Sequence, residues 1–340
     1  MNTLNQPNVA NHNASQTMRA IVQSEYGAPD VLTLATVDKP VAQDNQVLVR
    51  VQGASVHAGD WHLMRGTPWL IRLIFGGLRK PKVRTIGTDI AGRVEVVGAA
   101  VTQFQAGDEV FGDLSEVGFG AFAEYACVPE TALALKPINL TFEQAATVPV
   151  SALTALQGLR DYGEIQPGQK VLINGASGGV GSFAVQIAKA FGAIVTGVCH
   201  TEKVDMVRSL GADDVIDYNQ TDVTRSGQQY DLIIDTAAYR SVSDYQPILS
   251  PRGTYVLVGG DTTRFFQVML LGPWFAKRMR RQVKCLTQKP NQADLIVLKE
   301  LIEAGKIAPA IDQTYDLSEV PAAIRRVEQR QVRGKVAIRV

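Results

Sequence analysis

The sequence predicts an α/β protein in two parts: a β-rich, partly barrel-like domain and, inserted into it, a doubly wound parallel sheet. Three observations carry that expectation. Between Met18 and about Leu140, apolar and polar residues alternate in short runs separated by Gly and Pro, the pattern of half-buried strands. From about Thr141 to Lys284, short β-branched runs alternate with amphipathic helical segments, as in parallel βαβ units. From Cys285 onward the chain offers two further helices and a closing strand, an ending that returns to the first domain. At 340 residues there is chain enough for two cores. The expected division is 1–17 as a disordered leader, 18–140 with 285–340 as the β-rich domain, and 141–284 as the inserted sheet.

In order, the expected strands of the first domain are MRAIVQSEYG, VLTLATV, QVLVRVQGASV, IAGRVEVVGAAV and DEVFG. The stretch TFEQAATVPVSALTALQGL has helical periodicity with few breakers. Beyond PGQK come the strand KVLING, a Gly-rich turn, the helix VGSFAVQIAKAFG, the strand AIVTGVC, the helix VDMVRSLGA, and the strands DVIDY, YDLIIDTA and TYVLVGG. The tail reads as the helix ADLIVLKELIEAGK, a strand around Tyr315, the helix EVPAAIRRVEQR and the strand KVAIRV.

Composition narrows the function classes. Net charge is +1, with bases and acids interspersed, so there is no one-signed field to hold nucleic acid or an anionic membrane. The local cluster Lys277, Arg278, Arg280, Arg281 and Lys284 reads as a solvated helix face. Cys127, Cys199 and Cys285 are far apart and form no CxxC pair, which argues against a disulfide framework or a structural zinc and fits a reducing cytoplasm. The first seventeen residues lack a basic start and an apolar core, so they do not read as a secretory signal. The apolar stretches 69–78 and 265–276 are short and interrupted, so no integral membrane segment is expected.

The strongest motif is Gly175-Ala-Ser177-Gly178-Gly179-Val180-Gly181, directly after an expected strand and opening a helix. There the glycines permit a tight turn and close approach of backbone to a pyrophosphate, while the helix N-terminus presents N–H groups to the anion. In NAD enzymes a carboxylate about 20 positions on receives the ribose hydroxyls. Here Cys199-His200-Thr201-Glu202-Lys203 follows, with no carboxylate closing the strand. His200, Thr201, Lys203 and Tyr218 favour a 2′-phosphate, hence NADPH over NADH. Glu202 opposes this unless, at the start of the next helix, it points away.

Taken together, several motifs resemble the medium-chain dehydrogenase/reductase superfamily and, within it, the quinone oxidoreductase or zeta-crystallin-like branch. The likeness runs from Met18 onward, through Asp60-Trp61, Arg65-Gly66, Gly87-Thr88-Asp89-Ile90-Ala91-Gly92, Gly107-Asp108-Glu109-Val110, Ala152-Leu153-Thr154-Ala155, the Gly175–Gly181 loop, Gly211-Ala212-Asp213 and Arg333-Gly334-Lys335. It implies a GroES-like catalytic domain wrapped around a Rossmann domain. It also implies Thr154 beside the nicotinamide, Val258, Gly259 and Gly260 at its carboxamide, Gly334 and Lys335 closing over the cofactor, and a dimer formed by sheet extension. Zinc-dependent relatives hold catalytic metal with a Cys, a His-Glu pair and a second Cys. The matching positions read Ser55-Val56-His57, Thr88-Asp89 and Val150, too few donors for the three ligands a catalytic zinc needs.

Without such a metal, the easier chemistry is hydride delivery to an electron-poor acceptor, a quinone or an activated alkene or carbonyl. His57 is the candidate proton donor, with a structural hydrogen-bonding role as its alternative; Asp60 is expected to orient the loop and ribose. Trp61, Met64 and Trp69 on one side and Phe265 and Phe266 on the other are expected to shape the substrate pocket, with subunit packing as the competing use of 265–276. Two other functions compete: an alcohol or aldehyde dehydrogenase-reductase of the same superfamily, and a non-enzymatic NADPH-binding protein of crystallin or sensing type.

Overall fold

A computed structural model describes residues 16–74, 77–260 and 262–340; residues 1–15, most of the expected leader, lie outside them. The chain opens with an antiparallel hairpin, β1 (Thr17–Gln23) and β2 (Leu32–Asp38). The long strand β3 (Gln46–Val56) leads into α1 (Ala58–Arg65) and the short α2 (Leu70–Ile74). Then come β4 (Asp89–Val97), β5 (Glu109–Asp113), β6 (Tyr125–Pro129) and β7 (Leu133–Leu135). The stretch expected as one helix is two, α3 (Phe142–Ala146) and α4 (Pro149–Gln157). Pro149 explains the break: it has no N–H to give and its ring obstructs a preceding turn, so it opens α4 at its first position.

The inserted unit follows as β8 (Lys170–Asn174), α5 (Gly179–Ala190), β9 (Ile194–Cys199), α6 (Val204–Ser209), β10 (Asp214–Asp217), β11 (Tyr230–Asp235), β12 (Leu249–Leu257), α7 (Thr262–Met279) and β13 (Gln282–Cys285). The tail forms α8 (Gln292–Glu303), β14 (Ile311–Asp316), α9 (Val320–Glu328) and β15 (Lys335–Arg339).

Two large sheets result. The first runs β14-β15-β3-β4-β5-β7, with β6 also pairing β3. The final strand β15 lies antiparallel to β3, Val336 opposite Val56, so the tail does return to the first domain. The second sheet is all parallel, in the order β10-β9-β8-β11-β12-β13. The order reverses beside β8, and in open sheets of this kind the crevice for ligand lies at the carboxyl ends of the strands at that reversal. One core joins Ala91 and Phe111 of the first sheet to α4, α5 and α8 and to one face of the parallel sheet. The other face packs beneath Tyr245, Phe275 and Met279. Each aliphatic side chain sealed there contributes about 1.5–3 kcal/mol, enough to hold the two sheets at a fixed relation about the crevice.

Candidate active site

A cleft of about 330 Å³ opens at this reversal, between the parallel sheet and the α1–β15 side of the first domain. Its floor is the turn between β8 and α5. Gly175 has φ +82°, and a Cβ there would lie 2.4 Å from Thr236 Oγ1. A Cβ on Gly181 would lie 2.1 Å from the Gly175 carbonyl oxygen, so helix and strand approach as closely as backbone allows. At Gly178, by contrast, the nearest atom a Cβ would meet is 3.4 Å away, because that position faces the cleft. Gly178 caps α5 with no side-chain hydrogen bond, leaving the first helical N–H groups for a ligand. Ser177, Gly179 and Val180 also line the cleft, whereas Gly181 serves the helix packing behind it. The Gly334 N–H donates to the Ser177 carbonyl at 2.8 Å, tying the segment before β15 to this turn.

At one end the cleft is cationic. His200, Lys203 and Tyr218 line it, as expected, and so do Tyr239 and Arg330, which sequence reasoning missed. Arg330 lays its guanidinium 4.9 Å over the Tyr239 ring and donates to its hydroxyl. Lys203 Nζ donates to the Val332 carbonyl at 2.7 Å; burial, with Arg333 nearby, holds its ammonium below the usual lysine range. Thr201 turns instead to Asp217 Oδ2 at 2.7 Å. Glu202, the residue that argued against a phosphate, stands 4.0 Å from Arg333 and does not line the cleft. Among the described lining residues the one acid is Glu328, and Arg65 holds both of its oxygens.

At the other end stand Val56, His57, Ala58, Trp61, His62, Ser151 and Lys335. His57 caps α1: Nδ1 accepts from Gly59 N at 3.0 Å, and Nε2 lies 2.6 Å from Thr88 Oγ1. With Nδ1 accepting, the ring proton sits on Nε2 and is given to Thr88. The positions matching a zinc site converge on Asp89. Ser55 Oγ donates to Oδ2 at 2.6 Å, Val150 N to Oδ1 at 2.8 Å, and Lys335 Nζ lies 3.2 Å from Oδ2. Asp89 and Lys335 are both buried. A buried ion pair in which Asp89 accepts three hydrogen bonds thus fills that place. Lys335 runs its stem past Gly179, whose Cβ would stand 3.0 Å from Lys335 Cδ.

Several expected site residues lie elsewhere. Asp60 does not face the cleft: it is fully buried, accepts from His57 N at 2.8 Å, and burial raises its carboxyl above the usual range. Thr154 donates back to the Val150 carbonyl at 2.6 Å; the α4 residue lining the cleft is Ser151, one turn earlier. Gly260 lines the cleft beside Thr236 and Ala237, but Val258 and Gly259 do not. Trp61 lines it, while Met64 is sealed in the first domain's core because the inward face of α1 is the face away from the cleft. Trp69 is 66% exposed. Phe265 and Phe266 stack edge to face at the start of α7, outside the lining. His62, which was not among the expected site residues, does line the cleft. It stacks on Trp61 with centroids 3.6 Å apart, and Nδ1 donates to the Thr67 carbonyl at 2.7 Å. Burial pushes its imidazole below the usual range.

Comparison with known proteins agrees with this geometry. Residues 43–138 match the family model described as an alcohol dehydrogenase GroES-like domain, and residues 210–338 the one described as a zinc-binding dehydrogenase. A chloroplastic quinone-oxidoreductase homolog of Spinacia oleracea is 32% identical, covering 96% of this chain and 99% of its own. A chloroplastic NADPH-dependent alkenal/one oxidoreductase of Arabidopsis thaliana is 33% identical, covering 94% of this chain and 79% of its own. The structure of the quinone oxidoreductase from Coxiella burnetii superposes with a TM-score of 0.84 at 29% identity, covering 95% of this chain and 99% of that one. The zinc in the second family description has no donor set here. Among the described residues no three His, Cys, Asp or Glu side chains gather as ligands, and Asp89 is committed to Lys335, Ser55 and Val150.

Proposed function

The chain belongs to the medium-chain dehydrogenase/reductase superfamily, in its quinone oxidoreductase branch, and from that premise we propose that this oxidoreductase passes hydride from NADPH to a quinone or an activated alkene or carbonyl, without a metal. The observation that carries the proposal is the polarity of this cleft. An uncapped helix N-terminus flanked by Lys203 and Arg330 suits the phosphates of a dinucleotide. At the far end Val56, Ala58 and Trp61 form an apolar wall beside His57 and His62.

In this reading NADPH supplies the hydride, and the chain's own residues bind and orient it. The α5 N-terminus and Ser177 would hold the pyrophosphate. Lys203, Arg330, Tyr218 and His200 would hold the 2′-phosphate, with Tyr239 supporting Arg330, and Gly334 ties the segment before β15 to the turn. Ser151, with the Lys335 stem, backs the nicotinamide end, and Gly260 borders it. His57 serves as a positioning residue. As an acid it would have to carry a second proton on Nδ1, which would cost the bond that caps α1; the proton needed by the reduced acceptor then comes from water entering the cleft. Holding a reductant and an acceptor in contact supplies the larger part of such a rate.

Relatives of this kind favour the reductase over an alcohol dehydrogenase or a purely binding role. The test is NADPH oxidation against a panel of 1,2- and 1,4-quinones, enones, simple aldehydes and alcohols, before and after exhaustive chelation. Turnover confined to the quinones and enones and insensitive to chelation is expected. Turnover that chelation abolishes, or that appears only with alcohols or aldehydes, would overturn the proposal.

A further inference from the structure

Helix α7 buries Val268, Gly272, Phe275 and Met279, a stripe at steps of four, three and four residues that packs toward the parallel sheet. Its outer face is apolar and uncovered: Leu270 is 72% exposed and Trp274 54%, with Met269 and Leu271 about half exposed beside them. The end of the helix is cationic. Between Thr262 and Cys285 the chain has six basic residues and no acid, in a protein whose net charge is only +1. Lys284 is paired with Glu164 and Arg281 is turned to the Leu249 carbonyl. Lys277, Arg278 and Arg280 are exposed, and no described carboxylate pairs with them. The Arg278 guanidinium lies 5.5 Å over the Trp274 ring, so aromatic and cation share one surface.

We propose that this face docks on an anionic lipid bilayer, with Leu270 and Trp274 entering the boundary between headgroups and acyl chains while Lys277, Arg278 and Arg280 meet the lipid phosphates. An apolar stripe with a tryptophan beside unpaired cations is what an interfacial helix requires. A second copy of the chain is the competing occupant. A two-fold contact through α7 sets the same patch against itself, bringing two acid-free, cationic segments together, whereas an anionic surface neutralises them.

Binding to the membrane is read without cofactor or acceptor. The full chain is sedimented with vesicles of phosphatidylcholine alone and of phosphatidylcholine mixed with phosphatidylglycerol, and Trp274 emission is isolated by difference from a Trp274→Phe variant. Expected are binding to the mixed vesicles only, release by salt, a blue shift from Trp274, and at least about tenfold weaker binding in the double variant Lys277→Glu/Arg278→Glu, with its NADPH oxidation by a soluble quinone unchanged. Absence of binding to either vesicle, binding undiminished in the double variant, or a concentration-dependent dimer whose formation alone shifts Trp274 would overturn the proposal.

Discussion

His57 shows how a residue whose chemistry suggests one role can be committed to another. Its Nδ1 accepts from Gly59 N and its Nε2 proton is given to Thr88, so the ring spends both nitrogens on fixing α1 beside the cleft. Asparagine is among the best helix caps. His57→Asn is therefore expected to keep kcat within about twofold (about 0.4 kcal/mol) with an unchanged pH profile, while His57→Ala loses about 1 kcal/mol of stability, read from denaturant melts. Loss of a pH-dependent limb in the Asn variant would instead make His57 the proton donor. At this scale the sequence marked His200, Lys203, Tyr218, Gly175, Gly178 and Gly179, which do meet in the cleft. Tyr239 and Arg330 were illegible, because one follows β11 on an irregular turn and the other follows α9 with φ +59°. Only the tertiary fold brings them to within 5 Å of each other.

Elements explain which local patterns could be trusted. Periodicity located β3 over the same residues, Gln46–Val56, that the structure assigns, and placed each strand of the parallel sheet from β8 to β12. It ran past Pro149, where the steric rule for proline outweighs the apolar repeat. It could not tell which side of α1 or α7 is buried, since large apolar residues stand on more than one side of each; Met64 thus fell in the core and Phe265 on the sheet. The turn before α5 offers the clearest test at this scale. Gly181→Ala places a methyl 2.1 Å from the Gly175 carbonyl and is expected to cost about 1–3 kcal/mol of stability. Gly178 has φ −84° and ψ 177°, which any residue adopts, and open space before it. Gly178→Ala is expected to melt within about 0.5 kcal/mol of wild type while binding NADPH at least about tenfold more weakly (about 1.4 kcal/mol), by calorimetric titration. A Gly178→Ala protein that binds NADPH normally would remove the phosphate from this turn.

The whole molecule puts a nearly neutral chain to directional use. Net charge is +1, yet the described residues lining one end of the cleft supply Lys203 and Arg330, and the single lining acid, Glu328, is tied to Arg65. The two-domain plan was legible because βαβ alternation is a long-range statistical pattern; the polarity of the cleft was only half legible, since it depends on which chain ends meet. In the proposed function this end recognises a 2′-phosphate, and NADPH thus passes its hydride to an electron-poor acceptor. The most direct measurement is kcat/KM for NADPH and for NADH, with one soluble quinone, in the wild type and in Lys203→Ala. A preference for NADPH of at least about tenfold (about 1.4 kcal/mol) is expected, falling toward unity in the variant because NADPH alone loses efficiency. Equal use of the two cofactors by the wild type, or an equal loss for both in the variant, would contradict it.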